Sequence, residues 1–318
     1  MKALVFKSTG SWYDVKDQSG KKWKARLKGL LRIDNITSTN PIAVGDWVEM
    51  EPEEGKEDVA NISGIEDRRN YISRQSPHNK NLHHIVASNL DQSLLIATIK
   101  DPRTSQGFID RFLIASEAYH VPAIIVFNKA DTWRKKELLH FNQWKEMYEA
   151  IGYKVVNMSL QTKNGLEEVK SLLSGKTTLL SGHSGVGKSS FLNAVLPGLV
   201  LDTKAVSGWS GKGMHTTTFA EMFELPGDGK VIDTPGVREF GIVHISRQEL
   251  SHYFPEMRSL INHCQFNNCI HINEPGCAVK ASVATSGNTT DAESKANINE
   301  NRYISYLSIL ESIPEKNW

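Results

Sequence analysis

Asn128-Lys129-Ala130-Asp131 precedes Gly182-His183-Ser184-Gly185-Val186-Gly187-Lys188-Ser189 in this chain, and Asp233-Thr234-Pro235-Gly236 follows both. The middle segment has the spacing of a glycine-rich phosphate loop, which ordinarily comes first of the three. To touch one ligand, all three must meet at the same end of a mainly parallel sheet. The set therefore specifies a nucleotide, and the order specifies a circularly permuted domain.

The phosphate loop lies in the context that its chemistry requires. An apolar strand, Thr177 to Leu180, feeds it, and a helix predicted over Lys188 to Leu196 leaves it. Its glycines let backbone N–H groups curl around phosphate, and the helix N-terminus adds a favourable dipole. Lys188 is expected to reach the β- and γ-phosphates and Ser189 to coordinate Mg²⁺, with Ser190 in the same cofactor-binding run. Such a loop suits ATP and GTP equally. Asn128 and Asp131 decide between them, because a carboxylate accepts from the guanine N1–H and N2–H₂ edge, which adenine lacks. Lys129 would lay its stem along the base, and Ala130 completes the segment. After the next strand, Ser159-Leu160 can offer a backbone N–H to the guanine O6 while the hydroxyl buttresses the loop.

Asp233 ends an apolar strand, so its carboxylate can hold Mg²⁺ through water, and the Gly236 N–H can sense the γ-phosphate. Ahead of it, Gly211 to Thr218 is glycine-rich and hydroxyl-bearing. One of Thr216 and Thr217, here assigned to Thr217, completes the Mg²⁺ shell, although the spacing leaves the choice open. Ras-type GTPases carry a glutamine directly after the Asp-x-x-Gly glycine to orient water; this chain has Val237 there. Slow intrinsic turnover is expected, with a catalytic group borrowed from the switch or from a partner. His215 is the nearest catalytic candidate beside Lys188, and a solvated loop histidine is the alternative.

Residues 1–71 are read as a barrel with strands over Ala3 to Phe6, Trp23 to Leu31, Asp46 to Glu51 and Val59 to Ile65. Lys21, Lys22, Lys24, Arg26 and Lys28 interleave with Trp23, which suits a nucleic-acid backbone and a stacked base; the plainer reading is a solvated edge strand. Acidic residues bunched between Glu51 and Asp58 polarise the barrel instead of making it basic. From Ser93 the pattern alternates between strand and helix. Strands are predicted at Ser93 to Ile99, Pro122 to Phe127, Lys154 to Met158, Thr177 to Leu180, Thr217 to Glu224 and Lys230 to Ile232. Helices are predicted at Phe108 to Tyr119, Lys136 to Ile151 and Leu166 to Leu173. This α/β unit is assigned residues 72–244. Residues 245–318 read as helical, ending in a long helix over Asn297 to Ser312.

All three cysteines fall in that last unit, as Cys264-x4-Cys269-x-His271-x5-Cys277. An odd number so clustered is a poor disulfide framework. Three thiolates and an imidazole are the donor set of a closed, structural Zn²⁺ site with no position open for substrate. Net charge is +1, which gives no global pull toward DNA or an anionic membrane. No apolar run approaches the roughly 20 residues that span a bilayer, and Met1 to Phe6 is too short for a secretory signal. The expected compartment is the cytoplasm, and nothing suggests an obligate dimer, so a monomer is expected.

The permuted motifs followed by the cysteine cluster resemble the RsgA/YjeQ family of small-subunit ribosome biogenesis GTPases. So do Ala87-Ser88-Asn89-Leu90-Asp91-Gln92, Gly213 to Thr218, Gly236-Val237-Arg238-Glu239-Phe240 and Glu274-Pro275-Gly276-Cys277-Ala278-Val279. The resemblance implies a multidomain protein: an N-terminal OB-fold β-barrel, a central circularly permuted P-loop α/β GTPase and a C-terminal, mainly helical zinc-binding domain. It implies GTP/GDP, Mg²⁺ and one structural Zn²⁺ as cofactors. It further implies GTP hydrolysis stimulated by the small ribosomal subunit and its rRNA late in maturation, and a catalytic histidine matching His215. A P-loop ATPase or kinase, a binding-only switch, and a permuted GTPase acting on another ribosomal or RNA target are the alternatives.

Overall fold

The computed structural model describes residues 1–28, 41–75, 83–196, 198, 220–234, 245–284 and 298–314. Alternation of apolar and polar residues builds the first unit from five strands: β1 (Lys2–Ser8), β2 (Tyr13–Asp17), β3 (Lys22–Leu27), β4 (Trp47–Pro52) and β5 (Val59–Ile65). Every second side chain turns inward, so Ala3, Val5, Tyr13, Val15, Ala25, Val48, Met50, Ala60 and Ile62 share one core with Ile42. The strands close on themselves: β1 pairs antiparallel with β2 and β4, β2 with β3 and β4 with β5, while β3 runs parallel to β5. The barrel expected from the sequence is thus present. Its third strand starts at Lys22 and ends at Leu27, and residues 29 to 40 lie outside the described residues. β2 was not foreseen, because its acids and lysines obscure the alternation of Tyr13 and Val15.

The basic strand is largely neutralised within the barrel itself. Lys21 pairs with Asp58 at 2.7 Å, Arg26 with Glu53 at 3.0 Å, Lys28 with Glu51 at 3.3 Å, and Lys24 with Asp14. Lys21 also lies over the Trp23 ring, 4.1 Å from its centre. Such solvent-exposed pairs contribute about 0–1 kcal/mol each, so their main effect is to balance the local charge.

A hairpin of β6 (Tyr71–Gln75) and β7 (His83–Ser88) leads into the central unit. That unit comprises β8 (Gln92–Ala97), α1 (Gln106–Ala118), β9 (Ala123–Phe127), α2 (Lys135–Ile151), β10 (Lys154–Asn157), α3 (Leu166–Leu173), β11 (Thr177–Ser181), α4 (Lys188–Val195), β12 (Glu221–Glu224) and β13 (Lys230–Asp233). The strand order is β10-β9-β8-β11-β13-β12. All are parallel except β12, which runs antiparallel to β13. β8 is buried along its whole length, as a strand covered on both faces must be. Among the described residues β12 begins at Glu221; residues 217 to 219 of the strand expected over Thr217 to Glu224 lie outside them. The barrel joins the sheet at this strand, through a bridge between Lys7 of β1 and Glu221 and a 2.7 Å ion pair between Lys16 and Glu224.

The last unit holds two short helices, α5 (Pro255–Arg258) and α6 (Ala278–Ala281), and α7 (Glu300–Ser312). Its core of Leu250, Phe254, Met257, Val279, Tyr306, Ile309 and Leu310 also takes in Ile114 from α1. Among the described residues, no helix is long and apolar enough to cross a membrane.

Candidate active site and metal centre

The sheet order places β11 between β8 and β13, so its C-terminal end opens at the centre of the sheet. There the chain must turn sharply into α4, and Gly182 has φ +146°. A Cβ at that position would lie 2.3 Å from the Ile96 carbonyl oxygen of β8. At the helix entrance Gly187 has φ +103°, and a Cβ would lie 2.5 Å from Asn128 Nδ2. The second restriction is informative, because it shows the 128–131 segment packed against the glycine-rich loop. Asn128, 2% exposed, donates from Nδ2 to the Val186 carbonyl at 2.8 Å, while its Oδ1 is buried without a partner.

Asp131 projects outward from the 3₁₀ turn Ala130–Thr132. Ser159, buried at the end of β10, donates its hydroxyl to Asp131 Oδ1 at 2.5 Å. That leaves the second carboxylate oxygen to face a ligand. Ser159's own N–H is committed to the Asn164 carbonyl at 2.9 Å, so the backbone donor expected from this pair falls to Leu160. Lys129 has φ +64° and donates from Nζ to the Asp101 carbonyl oxygen.

Lys188 folds over the phosphate loop, donating to the Gly182 and His183 carbonyls at 2.6 and 2.8 Å. Burial pushes its pKa down, and the Asp233 carboxylate opposes that. Asp233, paired in register with Leu180 and Glu221, shows the converse: burial pushes its carboxyl up and Lys188 pulls it back. Among the described residues its Oδ1 is buried with no hydrogen-bond partner, which fits a carboxylate that could hold a hydrated cation. Ser189 and Ser190 occupy the first turn of α4, half-buried, and Ser184 and Gly185 are exposed at the loop's tip. His215, Thr216, Thr217, Gly236 and Val237 lie outside the described residues.

Two contacts of the phosphate loop were not anticipated. Phe108 of α1 stacks on His183, ring centres 3.6 Å apart at 29°, and Pro102 backs Gly185. Two residues beyond Phe108, Asp110 is completely buried. It receives Tyr148 Oη at 2.8 Å and Arg302 Nη1 of α7 at 2.5 Å. A lone carboxylate in the apolar run of α1 was the available signal.

Cys264, Cys269, His271 and Cys277 bring their donor atoms within 4.8 Å of one another. His271 turns Nδ1 toward Cys264 and Cys277, 3.6 and 3.4 Å from their sulfurs. Burial pushes the Cys269 thiol up to about 12 and the Cys277 thiol in the same direction, so a cation seated among them is what would favour thiolates. The donor set fits a closed tetrahedral zinc site. Glu274 accepts the N–H groups of Ile270, Ile272 and Asn273 at 2.7, 2.8 and 3.0 Å. From α7, Tyr303 and Tyr306 donate to the His271 and Ile270 carbonyls at 2.6 and 2.7 Å.

Comparison with known proteins gives a consistent result. The RsgA GTPase family model matches residues 65–243 and the RsgA N-terminal domain model matches residues 2–59. The chain is 46% identical over 315 residues to the small ribosomal subunit biogenesis GTPase RsgA of Bacteroides fragilis, covering 99% of this chain and 98% of that one. It is 47% identical over 310 residues to the protein of the same name in Cytophaga hutchinsonii, covering 98% of each. The structure of YjeQ from Thermotoga maritima superposes with a TM-score of 0.77 at 31% identity over 99% of both chains. That of YloQ, described as a circularly permuted GTPase, gives 0.72 at 28% identity over 100% of this chain and 96% of the other.

Proposed function

Because the chain belongs to the RsgA family of GTPases, we propose that it hydrolyses GTP at the 128–131, 182–189 and 233 constellation in the service of small ribosomal subunit maturation. The observation that carries this reading is the Ser159–Asp131 contact of 2.5 Å, set beside Asn128's bond to Val186. One carboxylate oxygen is held and the other is offered to a guanine edge, while Asn128 ties that edge to the phosphate loop. Adenine lacks the N1–H and N2–H₂ donors that this carboxylate would accept.

In this reading Asn128, Lys129, Ala130 and Asp131 take the base, with the Leu160 N–H on its O6. Gly182 to Ser190 take the phosphates. Ser189, Asp233 and Thr217 would hold Mg²⁺, which screens the phosphate charge when bound. Lys188 neutralises charge that builds on the γ-phosphate as water attacks in line. Val237 cannot orient that water by hydrogen bonding, so His215 and the ordering of residues 211 to 218 on a partner supply what is lacking. The four ligands of the cysteine cluster would hold Zn²⁺, a folding and docking element in a unit spanning residues 245–318. The partner is the small ribosomal subunit with its rRNA, met in the cytoplasm by a monomer.

GTP turnover measured with and without purified small subunits tests this. Stimulation of tenfold or more is expected on the scale by which partner-supplied groups accelerate GTPases; equal rates would reject the activation model. Competition of GTP binding by excess ATP would reject the base assignment.

A further inference from the structure

We infer that Phe108 is a positioning residue for the phosphate loop, and that Arg302 of the C-terminal module sets its placement through Asp110. This rests on the assignment of residues 182–189 as the phosphate loop.

Residues two apart on a helix face different ways. On α1, Phe108 points to the loop and stacks on His183, with ring centres 3.6 Å apart. Asp110 points to α7, where it meets Arg302 at 2.5 Å, both side chains being 0% exposed. Arg302 is held in turn by Glu256 at 2.7 Å and lies over the Phe254 ring at 4.7 Å. Held on that side, it ties Asp110 and with it α1 to the C-terminal module. Next along α7, Tyr303 and Tyr306 grip the carbonyls of the knuckle that carries His271. One rigid helix thus holds the metal knuckle and the far side of α1 together. The segment entering α1 also braces the nucleotide loops at two more points, Pro102 against Gly185 and the Asp101 carbonyl under Lys129. A displacement of the C-terminal module has a path of packed and bonded groups to the phosphate loop, and this path does not pass through the switch segments.

The test uses the full chain with Phe108→Leu, Phe108→Tyr, Asp110→Asn, the Phe108→Leu/Asp110→Asn double variant, and Glu117→Gln as control. Glu117 also joins α1 to the C-terminal module, but at the surface, through Arg258 at 2.8 Å. Binding of a fluorescent GDP analogue and the KM and kcat for GTP are read for each. Phe108→Leu and Asp110→Asn should each weaken GDP by about three- to tenfold, within the range of long-range coupling, and raise KM more than they lower kcat. Phe108→Tyr, which keeps the ring, should bind as wild type, as should Glu117→Gln. The double variant should lose less than the product of the single losses, because both act on one path. Wild-type GDP affinity in Phe108→Leu overturns the positioning role. Wild-type affinity in Asp110→Asn, or strictly multiplicative losses, overturns the link to Arg302. Failure of the wild-type chain itself to bind GDP would instead reject the site assignment.

Discussion

A 2.5 Å contact from Ser159 holds Asp131, the side chain to which the proposed function gives the choice of base. Replacing Asp131 by Asn keeps that oxygen but puts an N–H₂ donor where guanine presents donors. Loss of charge-assisted hydrogen bonds, about 1.5–3 kcal/mol, should weaken GTP roughly 10- to 150-fold in equilibrium binding. Xanthosine triphosphate, which carries a carbonyl in place of the 2-amino group, should bind the variant better than GTP does. A second carboxylate makes an acid-side prediction. Hydrogen bonds from Ser19, then from Trp23, hold Asp17 down at about 2 against an ordinary 3.8. A folded-state value below the unfolded one gives stability that is complete above about pH 4 and lost as the pH falls through about 2. Urea midpoints should therefore show the cost of Asp17→Asn undiminished at neutral pH and shrinking toward pH 2.

At the level of elements, the structure rewards sequence signals that are local and misses those that are not. Strand β5, Val59–Ile65, and helix α3, Leu166–Leu173, have the expected bounds, since Asp58 and Gly165, both at positive φ, punctuate them. Helix α1 starts at Gln106, two residues before the expected Phe108, because Ser105 caps it by accepting the Phe108 N–H at 3.3 Å. The hairpin β6–β7 was not foreseen, because β6 offers a single buried aliphatic, Ile72, and the run Ile85-Val86-Ala87 in β7 is too short to show a period. Asp110 stands out as a carboxylate in an apolar run, but its pairing with Arg302 and that of Phe108 with His183 could not be read, since no local pattern encodes contacts between residues 192 and 75 positions apart. The cysteine cluster was legible as a donor set, but its support was not. Glu274→Ala frees three knuckle N–H groups and should lower zinc affinity by about 10- to 100-fold, measured by competition with a chromogenic chelator.

For the whole molecule, the metal knuckle and α7 should behave as one cooperative unit, because Tyr303 and Tyr306 bond its carbonyls. Chelation should raise amide exchange across Glu300–Ser312 while leaving Ala123–Phe127 protected, and uniform loss of protection would contradict that division. The barrel and the C-terminal module meet the nucleotide-binding unit at different elements, the barrel at β12 and the module at α1. At the barrel's end lies the bridge between Lys7 and Glu221. An open sheet ends in a row of unpaired backbone groups that invites another chain to add on. Here β12 is only four residues long, is flanked by Lys7–Glu221 and Lys16–Glu224 pairs, and abuts a barrel whose strands close on themselves. If the barrel shields this edge, a chain shortened to residues 66–318 should aggregate at concentrations where the full chain stays dispersed in light scattering.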